Sequence, residues 1–190
     1  MNRRQLFRQT LFGIAGASAL PAREFPPGYD ASKELARADW KPAFLNAHQN
    51  ETLIAVSDVI IPETETPGAK LAQVNRFIDD LLAAESKETQ QSFLNSLAFL
   101  DGEAISKYKS PFFQLPRATQ VELLSYFAYP HSLETWGEDK KLDDPGHRHF
   151  TNVKGWIARV FWTSEAGQRA LGSDGSFPHG ELEGCKHVSK

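Results

Sequence analysis

The fold is decided by residues 50–61, which read NETLIAVSDVII and are followed directly by Pro62. Leu53, Val56 and Ile60 recur three and four positions apart, the spacing at which side chains share one face of an α-helix. The residue before a proline avoids helical backbone angles, so this helix is predicted to end there. The run therefore predicts an amphipathic helix whose apolar face enters a core.

The same periodicity recurs along the rest of the chain. Further helices are predicted over about residues 69–84, 87–108, 117–128 and 148–163. Leu81, Ile105 and Val121 are among the apolar residues predicted to face inward. No useful run alternates as a strand would, although a βαβ sheet is the alternative architecture. The predicted fold class is all-α, a compact irregular bundle of about five helices.

The segments outside these helices carry much of the proline and glycine. Residues 23–46 are predicted to be an irregular, extended lead-in, residues 47–171 the helical domain and residues 172–190 an extended glycine-rich tail. Residues 62–68 read PETETPG and are predicted to be a loop, with its Pro-Gly pair at the centre of a type II turn. A second, polar loop is predicted over residues 131–146.

The first 22 residues form a separate segment. Arg3 and Arg4 are followed by a weakly apolar stretch and then by small residues. This order describes an export signal, and the adjacent arginines make it similar to a twin-arginine signal, which a receptor reads on folded cargo. Cleavage is expected after Ala19 or Ala22. The alternative is a basic amphipathic helix that stays attached.

Composition excludes several classes of function. The only cysteine is Cys185, which rules out an internal disulfide, a CxxCH haem site and a multi-cysteine metal cluster. The formal charge is −3, and it becomes −6 without the three arginines of the signal, so the chain lacks the basic excess of a nucleic-acid binder. No apolar run approaches the roughly 20 residues of a membrane-spanning helix.

Three histidines are candidate metal ligands. His147 and His149 are two positions apart, which places them on different sides of a helix. His131 could share a helical face with Glu134, but no HExxH motif is present. Surface or hydrogen-bonded histidines are the favoured interpretation, and a metal-dependent enzyme built on these three residues stays open as an alternative.

Two acidic pairs are candidates for acid–base chemistry. Asp79 and Asp80 fall on the polar side of the second predicted helix, and Asp143 and Asp144 fall in the 131–146 loop. Solvated charge is the favoured interpretation of both pairs.

The fifth predicted helix carries a tryptophan that does not face its apolar stripe. Phe150, Val153, Ile157 and Phe161 form one stripe with Ser164. Trp162 points away from that stripe, so it is expected to be covered either by the tail or by another protein.

Several segments together resemble the gluconate 2-dehydrogenase subunit 3 family. Residues 53–70 (LIAVSDVIIPETETPGAK) and 74–79 (VNRFID) are similar to the family's hallmark, which runs Asp-x-Ile-Ile-Pro, Thr-Pro-Gly-Ala and Val-x-x-Phe-Ile-Asp. Residues 161–167 (FWTSEAG) resemble its second block, in which Tyr-Tyr is usual where this chain has Phe161-Trp162. The glycine-rich ending and the paired arginines at the start are also similar.

The resemblance implies a small subunit with no catalytic, cofactor-binding or metal residues of its own. Its partner would be a large FAD-dependent dehydrogenase of the glucose–methanol–choline type, acting on a sugar or sugar acid, with a cytochrome c subunit as a further partner. The signal of the small subunit would export the folded pair to the periplasm, where any membrane attachment would come from a partner. No nucleic acid is expected to bind.

The residues expected to contact the large subunit are Pro62, Pro67, Gly68, Trp162 and Cys185, the last within the tail. The alternative function is a stand-alone periplasmic helical binding protein without a dehydrogenase partner.

Overall fold

The computed structural model describes residues 36–129 and 144–172. Within these two ranges the chain forms six α-helices, one short 3-10 helix and no β-strand, which confirms the all-α prediction. The α-helices are α1 (Ala47–Ile60), α2 (Val74–Ala84), α3 (Lys87–Tyr108), α4 (Arg117–Ala128), α5 (Pro145–Thr163) and α6 (Glu165–Ala170), and the 3-10 helix is Phe112–Gln114. None of the described helices is both long and apolar enough to cross a membrane.

Two helices begin three residues earlier than predicted because capping groups precede them. At α1, the Asn46 side chain accepts the Gln49 N–H at 2.8 Å and the Gln49 side chain accepts the Asn46 N–H at 3.0 Å, which is a capping box. At α5, the Asp144 carboxylate accepts the His147 N–H at 2.6 Å. Pro145 follows at the first helical position, where a missing N–H costs nothing.

Helix α2, in contrast, begins later than predicted. Residues 69–73 form turns, and the helix begins only at Val74. Gln73, directly before it, has a φ of 54°, in the left-handed region. A residue with this backbone conformation cannot be part of a right-handed helix, so the helix predicted from residue 69 starts five residues late.

Helix α5 is the centre of the bundle and packs against α1, α2, α3, α4 and α6. Its predicted inner stripe is buried, with Phe150, Val153, Ile157 and Phe161 each 7% exposed or less. Burying such side chains is the main favourable contribution to folding, at roughly 1.5–3 kcal/mol each. The other large side chains that are fully buried are Phe93, Phe112, Leu53, Ile78, Leu82, Leu97, Leu100, Val56 and Val74.

Three residues predicted to face inward are exposed instead. Leu81 is 46% exposed, Ile105 is 44% and Val121 is 42%. Each stands on its helix beside residues that are buried, so it lies at the edge of the apolar stripe. In a small bundle the neighbouring helices cover only part of each helix, and the edge of a broad stripe stays in contact with water.

Candidate partner-binding surface

The 62–68 loop connects the end of α1 to the turns before α2. Residues 62–66 are exposed, Pro67 is half-buried and Gly68 is buried. The loop is closed at its base, where the Ala69 N–H donates to the Ile61 carbonyl oxygen at 2.9 Å. The exposed residues are therefore carried on a closed loop rather than on an open connection.

Gly68 is required by close packing and not by a turn. A Cβ atom at this position would lie 2.5 Å from the Glu63 nitrogen and 2.8 Å from the Pro62 carbonyl carbon, far inside contact distance. The predicted type II turn is wrong, because it needs a positive φ at Gly68, whereas among the described glycines only Gly172 has one. The glycine allows the two ends of the loop to touch.

The interior of the loop is held by its own threonines. The Thr64 N–H donates to the Thr66 carbonyl oxygen at 3.1 Å, and the Thr66 N–H donates to the Thr64 hydroxyl at 3.4 Å. Pro62 and Pro67 restrict the backbone at both ends of the loop. An exposed segment that is already ordered loses less conformational entropy when it binds a partner.

The 161–167 corner joins α5 to α6. Ser164 ends the first helix and caps the second, because its hydroxyl donates to the Phe161 carbonyl oxygen at 2.6 Å and accepts the Gly167 N–H at 3.1 Å. A Cβ at Gly167 would lie 2.0 Å from the same Phe161 oxygen. The second hallmark block is therefore a tight helix–helix corner, and the glycine permits it.

Trp162 lies on the outer side of this corner. Its side chain is 43% exposed, while its neighbour Phe161 is 1% exposed and packs edge-to-face against it at 4.9 Å between ring centroids. The buried neighbour and the hydrogen bonds of Ser164 fix the helix on which the tryptophan stands. Trp162 thus presents a large amphipathic ring to solvent from a rigid base.

The two candidate metal-ligand histidines that the structure describes are bound to protein groups. His147 Nδ1 lies 2.9 Å from the Phe127 carbonyl oxygen, and the Thr151 hydroxyl lies 3.3 Å from His147 Nε2. His149 Nδ1 lies 3.1 Å from the Ser96 hydroxyl, and its ring stacks on Phe99. Across residues 36–129 and 144–172, no three His, Cys, Asp or Glu side chains gather as a metal site would require.

Asp79 is the largest error of the sequence interpretation. It is buried with 0% exposure instead of solvated. Its carboxylate accepts three backbone N–H groups, from Ala43 at 2.6 Å, Phe44 at 3.1 Å and Leu45 at 2.7 Å. These donors stand 34 to 36 positions earlier in the chain, so the periodicity of α2 could not reveal them. Asp80, beside it, is exposed as predicted.

Two further carboxylates organise the fold and were not singled out from the sequence. Asp101 is 7% exposed, and its two oxygens accept the Phe112 N–H at 2.8 Å and contact His48 Nε2 at 2.7 Å. Asp58 binds the Arg117 guanidinium at 2.7 Å and thereby ties the last turn of α1 to the start of α4. The described buried carboxylates bind backbone N–H groups, which is a structural use.

The remaining predicted site residues lie outside the described residues. These are Arg3, Arg4, Ala19 and Ala22 of the signal, His131, Glu134 and Asp143 of the polar loop, Cys185, and residues 173–190 of the tail. Asp144, the partner of Asp143 in the predicted solvated pair, is the capping residue of α5. The candidate surface that the structure describes therefore consists of the 62–68 loop and Trp162.

Comparison with known proteins gives one family. Residues 47–173 match the family model described as gluconate 2-dehydrogenase subunit 3, a range that begins with α1 and ends after α6. No curated protein and no solved structure matches the chain. The matched range contains both glycine-dependent connections and Asp79, but not residues 43–45 that Asp79 binds. Because the match covers well over half of the sequence, the chain belongs to the gluconate 2-dehydrogenase subunit 3 family.

Proposed function

We propose that this chain is the non-catalytic small subunit of a periplasmic FAD-dependent dehydrogenase complex, and that it assists folding and twin-arginine export of the large subunit. The observation that carries the proposal is the family match over residues 47–173. The large subunit is of the glucose–methanol–choline type, holds the FAD and oxidises a sugar or sugar acid. A cytochrome c subunit is a further partner in this proposal.

The use of buried polar groups supports a non-catalytic role. Asp79 accepts backbone N–H groups, and Asp101 accepts one backbone N–H and contacts His48 of the same chain. His147 and His149 each contact a carbonyl or hydroxyl oxygen of the chain. Groups that are held in this way stabilise the fold and are poorly placed to transfer protons to a substrate.

The contact surface is the second part of the proposal. The 62–68 loop, Trp162 and the tail around Cys185 bind the large subunit. The loop is exposed and closed at its base, and the tryptophan is exposed on a buried helix. Rigid exposed loops and aromatic side chains are the features that carry binding energy in many protein interfaces.

Co-purification from the native host tests the complex. The full chain carries a C-terminal tag, the periplasmic fraction is purified, and the absorption spectrum of the eluate is recorded. We expect the oxidised flavin spectrum and a large chain that reduces an artificial electron acceptor when a sugar or sugar acid is added. A colourless eluate that contains only this chain would contradict the proposal and favour the stand-alone binding protein.

Export is tested separately through the paired arginines. In the double variant Arg3→Lys and Arg4→Lys the charge is kept, but the receptor-read motif is lost. We expect the dehydrogenase activity to remain in the cytoplasm. The matched control is Arg8→Lys, which lies in the same segment outside the pair and should leave periplasmic activity unchanged. Equal periplasmic activity in both variants would show that the pair is not the export signal.

A further inference from the structure

Residues 37–45 lie on α2 without forming a helix or strand of their own. We call this segment the strap. One end is held by Asp79, whose carboxylate accepts the N–H groups of the last three strap residues at 2.6 to 3.1 Å. Leu45 is buried at 4% exposure, and Phe44 is half-buried against the core. The attachment is therefore both charge-assisted and apolar.

A second contact holds the other end of the strap one helical turn earlier on α2. The Arg76 guanidinium donates to the Arg37 carbonyl oxygen at 2.9 Å and lies 5.0 Å from the centroid of the Trp40 ring. Arg37 also pairs with Asp39 at 2.8 Å, and this hydrogen bond holds the pKa of the Asp39 carboxyl below its ordinary value. Arg76 and Asp79 are three positions apart and so face the strap from one side of α2.

Most of the core lies outside the strap, which contributes Leu45 and part of Phe44 to it. On α2 the residues that enter the core are Val74, Ile78 and Leu82, each with 0% exposure. They would keep α2 on the bundle if the strap were released. An opening of the strap would hydrate one carboxylate and three N–H groups and would expose Leu45 and part of Phe44, whereas unfolding would expose the whole core. Local openings of this kind occur at lower free energy than global unfolding.

We propose that the strap opens and closes on the folded bundle as a separate unit, and that Asp79 is the residue that keeps it closed. Because the closed strap can form only on a folded α2, its closure couples the N-terminal segment to the folded state of the bundle. Opening exposes Trp40, Phe44 and Leu45, which follow the segment that carries Arg3 and Arg4 in the sequence. This coupling to export rests on the function proposed above.

The first test reads the three amide groups directly. Hydrogen exchange at Ala43, Phe44 and Leu45 is followed in the full chain, as wild type and as Asp79→Asn. The amide side chain turns at least one acceptor into a donor facing N–H groups, so exchange should accelerate about 10- to 100-fold. Chymotrypsin cleavage after Trp40 and Phe44 should accelerate in parallel. The control Glu85→Gln changes an exposed carboxylate directly after α2 and should behave as wild type.

The helical bundle supplies the decisive readout. In Asp79→Asn the helical circular dichroism and the exchange of α5 amides should stay close to wild type. If the variant instead loses the bundle together with the strap, Asp79 is an ordinary core residue and the proposal is overturned. Unchanged exchange at residues 43–45 would overturn it as well.

A measurement on the wild-type chain tests the same proposal without any substitution. Exchange at residues 43–45 should depend weakly on denaturant, because strap opening exposes little surface, whereas exchange in α5 should depend strongly on it. If exchange in both regions depended equally on denaturant, the strap and the bundle would open as one cooperative unit, and the proposal would be overturned. Arg76→Met, which removes the other contact, should accelerate chymotrypsin cleavage after Trp40 by about 3- to 10-fold, the effect of losing one charge-assisted hydrogen bond.

The coupling between strap closure and export is tested separately, by measuring the fraction of the chain that reaches the periplasm. If the coupling holds, Asp79→Asn lowers the periplasmic fraction of the chain relative to Glu85→Gln, although both have a folded bundle. Equal periplasmic fractions would overturn the coupling. Failure of the wild-type chain to reach the periplasm would contradict the proposed function, while the exchange data on the strap would stand by themselves.

Discussion

The 62–68 loop and the 161–167 corner both follow a long helix, and each contains a glycine packed against backbone. In the loop, Gly68 touches the start of the same loop and closes a protruding ring of exposed residues. In the corner, Gly167 touches the last turn of α5 and draws α6 onto the bundle. Gly68 therefore determines the shape of an exposed loop, whereas Gly167 allows two helices to pack together.

This difference predicts which property each glycine controls. The 161–167 corner lies between two packed helices, and Ser164 inside it is 8% exposed, so a disturbance there reaches the core. The 62–68 loop is exposed over residues 62–66, so a disturbance there changes its shape more than the stability of the bundle. Substitutions at the two glycines can separate stability from partner binding.

The largest effect is expected for Gly167→Val. Its Cβ would lie 2.0 Å from the Phe161 carbonyl oxygen, and the backbone of the corner cannot accept this without a shift of α6. We expect a loss of roughly 3 kcal/mol in the free energy of unfolding, measured by urea denaturation. The control Gly155→Ala lies on α5 with no atom within 4 Å and should raise stability by about 0.5–1 kcal/mol. Equal stability of the two variants would refute the packed corner.

A smaller loss of stability is expected for Gly68→Ala. Its Cβ would lie 2.5 Å from the Glu63 nitrogen, but the loop can open outward to relieve the contact. We expect a loss of about 1–2 kcal/mol together with weaker retention of the large subunit in the co-purification. Gly102→Ala, an exposed helical glycine with no atom within 4 Å, is the control for both readouts. Unchanged retention in Gly68→Ala would remove the loop from the interface.

The smallest effect is expected for Arg117→Ala, which releases the last turn of α1 just before the loop. Arg117 and Asp58 are 43% and 39% exposed, so their ion pair is worth only about 0.2–1 kcal/mol. The difference from wild type in thermal unfolding should shrink further in roughly 1 M salt, because salt screens exposed charges. A loss that persists in high salt would show that the second hydrogen bond, from Arg117 to the Asp58 carbonyl oxygen, dominates.

The sequence predicts the fold where the information is local. The stripe of α5 is buried as expected, since a helix in the centre of a bundle needs one continuous apolar face. Helices α3 and α4 begin and end as predicted, because Ser86, Pro111 and Pro116 stand next to their ends or just beyond them. The early starts of α1 and α5 follow from caps at Asn46 and Asp144 that could have been found in the sequence.

The errors come from information that is not local. Asp79 is polar on an amphipathic helix, and only its partners at residues 43–45 explain why it is buried. Gly68 is needed because the backbone of Pro62 and Glu63, six and five positions earlier, packs against it. A Pro-Gly pair in the sequence predicts a local turn but does not reveal this contact. Leu81, Ile105 and Val121 are exposed because periodicity gives the centre of a helix face but not its width.

The central claim is that a rigid exposed surface of this small subunit binds a flavin-bearing partner. The most direct test measures flavin absorbance per tagged chain after co-purification for wild type, Trp162→Ala and the control Tyr126→Ala, whose side chain is 73% exposed on α4. We expect stoichiometric flavin with wild type and Tyr126→Ala, and about 30-fold weaker partner binding for Trp162→Ala, the effect of losing an aromatic anchor. Equal flavin in all three would exclude Trp162 from the interface, and a colourless wild-type eluate would contradict the account itself.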